Sequence, residues 1–239
     1  VQAGHAQLIY RAGIPLAFLG FCNLLRGGQV RDACLLVISV AYQFLCSVYL
    51  GVFLLLVLGP FAVCLMCGQG LRRLSELPSR VLQDARRHFA MTAIQLTVTM
   101  ATVAATILML YGHQRWAGLY GLARPWSEIS TMLPRIQSYF HMDGLPYWKV
   151  IYNRLIDRYI PMAHEQNLFL GVGAFCLFAV GVAATFCMDK TSDLRRLSMT
   201  AMATLACLFF CLTMFVNFSL YYYLSSLPGL NAIRAVSRI

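Results

Sequence analysis

The sequence predicts an all-α integral membrane protein: a polytopic helical bundle with about six transmembrane helices and a long outer loop containing an interfacial amphipathic helix. Three observations predict it. Of 239 residues, 59% are apolar and only 12% are charged, where a soluble domain averages about 45–50% and about 25%. Apolar runs nearly free of charge exceed the roughly 18 residues needed to suspect a membrane span. The basic residues behind the net charge of +10 sit in short connectors between those runs, a pattern that reports membrane orientation and argues against a nucleic-acid partner. The composition also excludes intrinsic disorder. All nine cysteines fall inside apolar runs, which excludes a secreted disulfide scaffold.

In chain order, the apolar segments are 6–25, 33–68, 89–111, 167–188 and 198–223. The second would be about 54 Å long as one helix, against a hydrocarbon core of about 30 Å. Connector 26–32 carries Arg26 and Arg31, and connector 69–88 carries Arg72, Arg73, Arg80, Arg86 and Arg87. If both are cytoplasmic, 33–68 crosses twice and turns near Ser47–Tyr49. That choice puts 112–166 outside and 189–197, with Lys190, Arg195 and Arg196, inside. Both chain ends then lie outside, in a multi-pass protein of the inner (plasma) membrane. The expected division is a four-span segment (1–111), an extracytoplasmic loop (112–166), and a two-span segment with an interfacial C-terminal helix (167–239). The chain opens at Val1 and stops part way through an apparent helix, so a portion of a larger polytopic protein is expected.

Polar residues at membrane depth come next. Arg11 lies near the outer end of the first span, preceded on the same rim by His5 and Gln7, and either snorkels or faces a polar cavity. Pro15 is expected to break that helix. Thr97, Thr99, Thr102 and Thr106 read as helix-packing residues, and Tyr221, Tyr222 and Tyr223 as an interfacial belt closing the last span. Cys64 and Cys67 form a lone C-x-x-C on an apolar helix, a poor zinc or redox signal. No cofactor is identified, and nothing in the sequence supports a divalent metal.

The outer loop holds an amphipathic pattern. Trp148, Ile151, Tyr152, Leu155, Ile156 and Tyr159 recur at helical spacing, with Lys149, Asn153, Arg154, Asp157 and Arg158 opposite, between Pro146 and Pro161. A helix over 146–160 in the membrane interface follows. Arg124, Glu128 and Arg135 are the loop's candidates for polar chemistry. Glu128 is either a general base or the i, i+4 partner of Arg124. Near the C-terminus, Arg234 and Arg238 stand one helical turn apart after Pro228-Gly229. Two guanidiniums on one face repel unless an anion neutralises them; they either hold a lipid phosphate on the outer face or snorkel from an interfacial helix to ordinary lipid.

An ordered series of motifs accompanies these features. It runs Gly4-His5-x-Gln7-Leu8, Pro15-Leu16-Ala17, Leu24-Leu25-Arg26 and Arg31-Asp32-Ala33. Next come Gln43-x-Leu45-x-Ser47-x-Tyr49-x-Gly51-Val52-Phe53, Arg124-x3-Glu128, Glu165-x-Asn167-Leu168-Phe169-x-Gly171 and Pro228-Gly229-x4-Arg234-Ala235-x2-Arg238. The series resembles a bacterial branch of the GT-C superfamily of polytopic membrane glycosyltransferases, including its YfhO-like members. The resemblance implies about a dozen helices around an outward-facing active site. It also implies transfer of a sugar from a polyprenyl-phosphate donor to a lipid, glycan or protein acceptor, usually with inversion. On it, Arg234, Arg238 and Arg11 would hold the donor phosphate, His5, Gln7, Arg124 and Tyr49 would line the cavity, and Glu128 would be an acid or base. The family's main catalytic acid typically lies in a first outer loop, upstream of this chain. Cys46-Ser47 stands where relatives often carry paired serines. Two other readings compete: a non-catalytic scaffold or assembly subunit among other membrane subunits, and a transporter subunit. Spans without intramembrane acids or paired Gly/Pro interruptions weigh against the transporter.

Overall fold

The computed structural model describes residues 10–69, 71–121, 125–142, 146–156, 160–163, 166–189 and 192–225. Every regular element among them is helical: α1 (Gly13–Gly27), α2 (Val30–Cys46), α3 (Val48–Gln69), α4 (Leu71–Arg87), α5 (Phe89–Leu119), α6 (Trp126–Met132), α7 (Pro146–Ile156), α8 (Val172–Cys187), α9 (Asp193–Leu212) and α10 (Tyr221–Ser225). A 3-10 turn spans Ile136–Phe140. Three helices are long and apolar enough to cross a membrane, over Val48–Cys67, Phe89–Leu119 and Asp193–Leu212, while α1 and α8 are shorter apolar helices. The chain divides into two compact units, Val1–Tyr120 and Gly121–Ile239.

In the first unit, α2 packs against α1, α3 and α5. The α1–α2 contact is a seam of small residues. Ala17 is fully buried, and a Cβ on Gly20 would meet the Leu36 nitrogen at 2.8 Å and the Asp32 carbonyl at 3.0 Å. Such close backbones are the usual way membrane helices associate, since lipid tails supply no hydrophobic drive between helices. Phe18 and Phe21 set their rings edge-on to Phe61 of α3. Pro15 is the third residue of α1 and breaks nothing, because the first turn has no intrahelical N–H bond to lose.

The long apolar run divides at Ser47, whose backbone is extended (φ −165°, ψ 121°), inside the stretch expected to turn. Gly51 permits so short a joint, because a Cβ there would run into the Phe44 ring. The α1–α2 connection is equally tight. Gly28 caps α1 at φ 67° and donates its N–H to the Leu24 carbonyl at 2.8 Å, a left-handed cap that a Cβ would strain.

Two helices depart from the sequence reading. The connector 69–88 is itself a helix, α4, despite its arginines and Pro78. Helix α5 continues to Leu119, eight residues beyond the expected span, so at 31 residues it is about 46 Å long and outreaches the hydrocarbon core. Of the threonine set, Thr99 and Thr106 are buried, joined by Thr92 at a seven-residue spacing. Thr97 is exposed and Thr102 half-buried, and their hydroxyls donate to the carbonyls four residues earlier.

In the second unit the last apolar run, 198–223, is not one helix. Helix α9 stops at Leu212, and residues 213–220 form an extended stretch with a tight turn before α10. The Thr213 N–H makes the last helical bond, to Phe209, while the Met214 N–H goes to the Pro134 carbonyl instead of to the carbonyl four residues earlier, which a continuing helix would use. The tyrosines expected as a belt therefore separate: Tyr221 is fully buried, while Tyr222 and Tyr223 are exposed.

Candidate functional site

The second unit contains a polar interior that ties its loops to the ends of α8 and α9. Pro134 accepts the Met214 N–H at 2.8 Å, and Arg135 pairs with Met214 in a parallel bridge. One turn on, the Tyr139 hydroxyl meets Thr213 Oγ1 at 2.9 Å. Ser138 Oγ accepts the Arg135 N–H at 2.9 Å and donates to Gln166 Oε1 at 2.5 Å. The Gln166 amide nitrogen then donates to the carbonyls of Thr131 (3.1 Å) and Pro161 (2.8 Å). Ser138, Gln166 and Thr213 are completely buried. A side chain that meets so many otherwise orphaned groups is held in one orientation, and the loops with it.

An aromatic stack covers this interior. Trp148 of α7 lies flat on Phe169 at 4.2 Å and 3°, and Phe169 stacks on Phe175 at 5.6 Å. The Trp148 indole N–H donates to the Phe140 carbonyl at 2.7 Å, which satisfies the one polar group of a half-buried indole. Helix α7 ends within the described residues at Ile156; residues 157–159, the expected continuation, lie outside them. Tyr152 is buried as expected. Ile151, expected on the packed face, is 47% exposed beside Val150 and Tyr147, so the inward arc of α7 is narrower than its apolar arc. Lys149, Asn153 and Arg154 are exposed.

Burial raises the Tyr139 hydroxyl above the ordinary tyrosine range, and the Thr213 bond opposes that rise. Burial raises Tyr152 as well. Both are therefore neutral hydrogen-bonding groups at physiological pH, and neither serves as an anionic base.

The expected site residues are distributed over both units. Arg11 is exposed just before α1, with its carbonyl accepting the Ile14 N–H. Tyr49 is half-buried in the first turn of α3, edge-on to Phe53 at 5.3 Å. The two lie at the same end of the α1–α2–α3 group, where the Gln43 amide donates to the Tyr10 carbonyl at 2.8 Å. Glu128 is half-buried in the first turn of α6, and α6 is drawn to α10 by an edge contact of Trp126 with Tyr222 at 5.0 Å. His5, Gln7, Arg124, Arg234 and Arg238 lie outside the described residues.

Sequence reasoning missed Gln166 and the Tyr139–Thr213 pair, and took Gln43 only as part of a motif. The available signal was a glutamine in or beside an apolar run, which must find partners when buried. Among the described residues no group of three His, Cys, Asp or Glu is placed to hold a metal ion. All nine cysteines are free thiols.

Fold and site together define a class, the helical membrane proteins, with an ordered polar module packed on the ends of its apolar helices. No family model, no curated protein and no solved structure matches this chain.

Proposed function

We propose that this chain is a membrane glycosyltransferase of the GT-C type, or a portion of one, using a polyprenyl-phosphate-linked sugar on the outer face of the inner membrane. The reading includes six spans with both ends outside. Its support in sequence is the ordered motif series. The structural observation that carries it is the joining of α6 to α10 through Trp126 and Tyr222. This contact ties the helix bearing Glu128 to α10, and Arg234 and Arg238 follow α10 in the sequence, outside the described residues. Glu128 would act as general base or acid toward the acceptor hydroxyl, and the arginines would hold donor phosphate through bidentate, charge-assisted bonds.

The test is binding of polyprenyl phosphate to the chain in bilayer nanodiscs. Replacing Arg234 or Arg238 with Lys keeps the charge but removes the planar fork. Each change is expected to weaken binding by roughly tenfold, the loss of one charge-assisted bond of about 1.5 kcal/mol. Wild-type affinity in both variants would remove the donor site from this segment.

A further inference from the structure

Helix α4 offers an interaction surface that the glycosyl-transfer reading does not use. One residue separates α4 from α3, and His88 alone separates it from α5; both neighbours are long and apolar enough to cross a membrane. The helix is therefore held against the bilayer surface at both ends. Its rotation about its own axis is set by the α1–α2 connection. Asp84 Oδ2 accepts the Val30 N–H at 2.9 Å, capping α2 from outside. The Arg80 stem packs against Gly28, where a Cβ would lie only 2.7 Å from Arg80 Cβ.

With that side docked, the opposite side is exposed, and it is of mixed character. Pro78 is exposed and Leu82 is 53% exposed, forming an apolar edge that continues onto Phe89 (77%) and Met91 (59%) at the start of α5. Arg86, one turn beyond Leu82, and Arg87 at the end of the helix are exposed. The acids of this region are engaged: Glu76 with Arg80 at 2.6 Å, Asp84 with Val30 and with His88 at 3.3 Å, and Asp32 with Arg31 at 3.9 Å. The outward field is therefore positive. An apolar edge flanked by guanidiniums, on a helix pinned at the bilayer surface, is the arrangement of an in-plane helix on anionic lipid.

We propose that α4 is a lipid-surface helix whose Pro78–Leu82 edge enters the acyl boundary while Arg86 and Arg87 bind anionic phospholipid headgroups. The test is hydrogen exchange over residues 75–87, with the whole chain in nanodiscs of phosphatidylcholine alone or mixed with phosphatidylglycerol. Exchange is expected to slow by about fivefold or more in the anionic discs, since each arginine near such a surface contributes a factor of that order. The slowing should be lost at high salt, and in Arg86→Gln/Arg87→Gln, while exchange in α1 and α2 stays at wild-type rates. If the double variant does not fold, the salt series on the wild type still decides. Equal exchange in both lipids, or slowing that survives high salt, would overturn the proposal. So would inorganic phosphate reproducing the effect in phosphatidylcholine discs, which would mark a soluble-anion site.

Discussion

Gln166 shows how one side chain holds an irregular region in place. Both amide protons and the amide oxygen are committed, to Thr131, Pro161 and Ser138. Gln166→Leu preserves volume but strands these buried groups, each worth about 1–3 kcal/mol when orphaned. A loss of roughly 2–4 kcal/mol is expected, measurable as a shift in denaturant unfolding of the purified chain in micelles. Tyr139 makes a pH-dependent contribution. Its folded-state value is raised, so its stabilisation is complete below the ordinary tyrosine value of about 10 and fades as pH rises through the folded value. The unfolding midpoint should fall above about pH 10, and fall less steeply in Tyr139→Phe. An unchanged slope in that variant would assign the alkaline loss elsewhere. Neither residue stood out in the sequence, because a single Gln or Tyr in a loop carries no periodicity; only folding brings their partners within reach. Glu128 did stand out, as an acid in a long outer loop.

Among the elements, the α1–α2 seam depends on the absence of side chains. Gly20 faces backbone atoms of Leu36 and Asp32, which cannot rotate aside as a side chain can. Gly20→Leu should part the helices and cost about 1–3 kcal/mol. Gly112→Ala, where nothing lies within 4 Å, should be neutral or slightly stabilising, as expected for relief of glycine's entropy cost. Steric-trapping or denaturant titration of the two variants side by side checks the contrast, and equal effects would dismiss the seam. The break at Ser47 was legible, because span length and connector charge are both one-dimensional quantities. Helix α4 was hidden by reading its arginines only as an orientation signal, although Leu74, Leu77, Val81 and Ala85 recur every three or four residues. The end of α9 was not legible. Residues 198–223 are continuously apolar enough to pass for one span, and the helix stops because Thr213 and Met214 find partners 74 or more positions away.

For the whole molecule, the three connectors 26–32, 69–88 and 189–197 should share one side of the membrane. Cysteines engineered there are expected to react with an impermeant thiol reagent from the cytoplasmic side only, and a residue in the exposed Gly112–Leu119 end of α5 from the other. The native cysteines, all reduced, are replaced first. Opposite sidedness of 26–32 and 69–88 would require a single crossing between them. Within the first unit, Asp84 and Arg80 of α4 lie against the α1–α2 connection, which keeps 26–32 and 69–88 at one end of that unit.

The bond between Tyr139 and Thr213 also sets a timetable for biogenesis. The two residues are 74 positions apart, so at a synthesis rate of about 5–20 residues per second the loop waits roughly 4–15 s for its partner to leave the ribosome. During that interval α8 and α9 are synthesised, the second of them long and apolar enough to cross a membrane. Completion of the polar module is therefore a late step that follows synthesis of the last apolar helices.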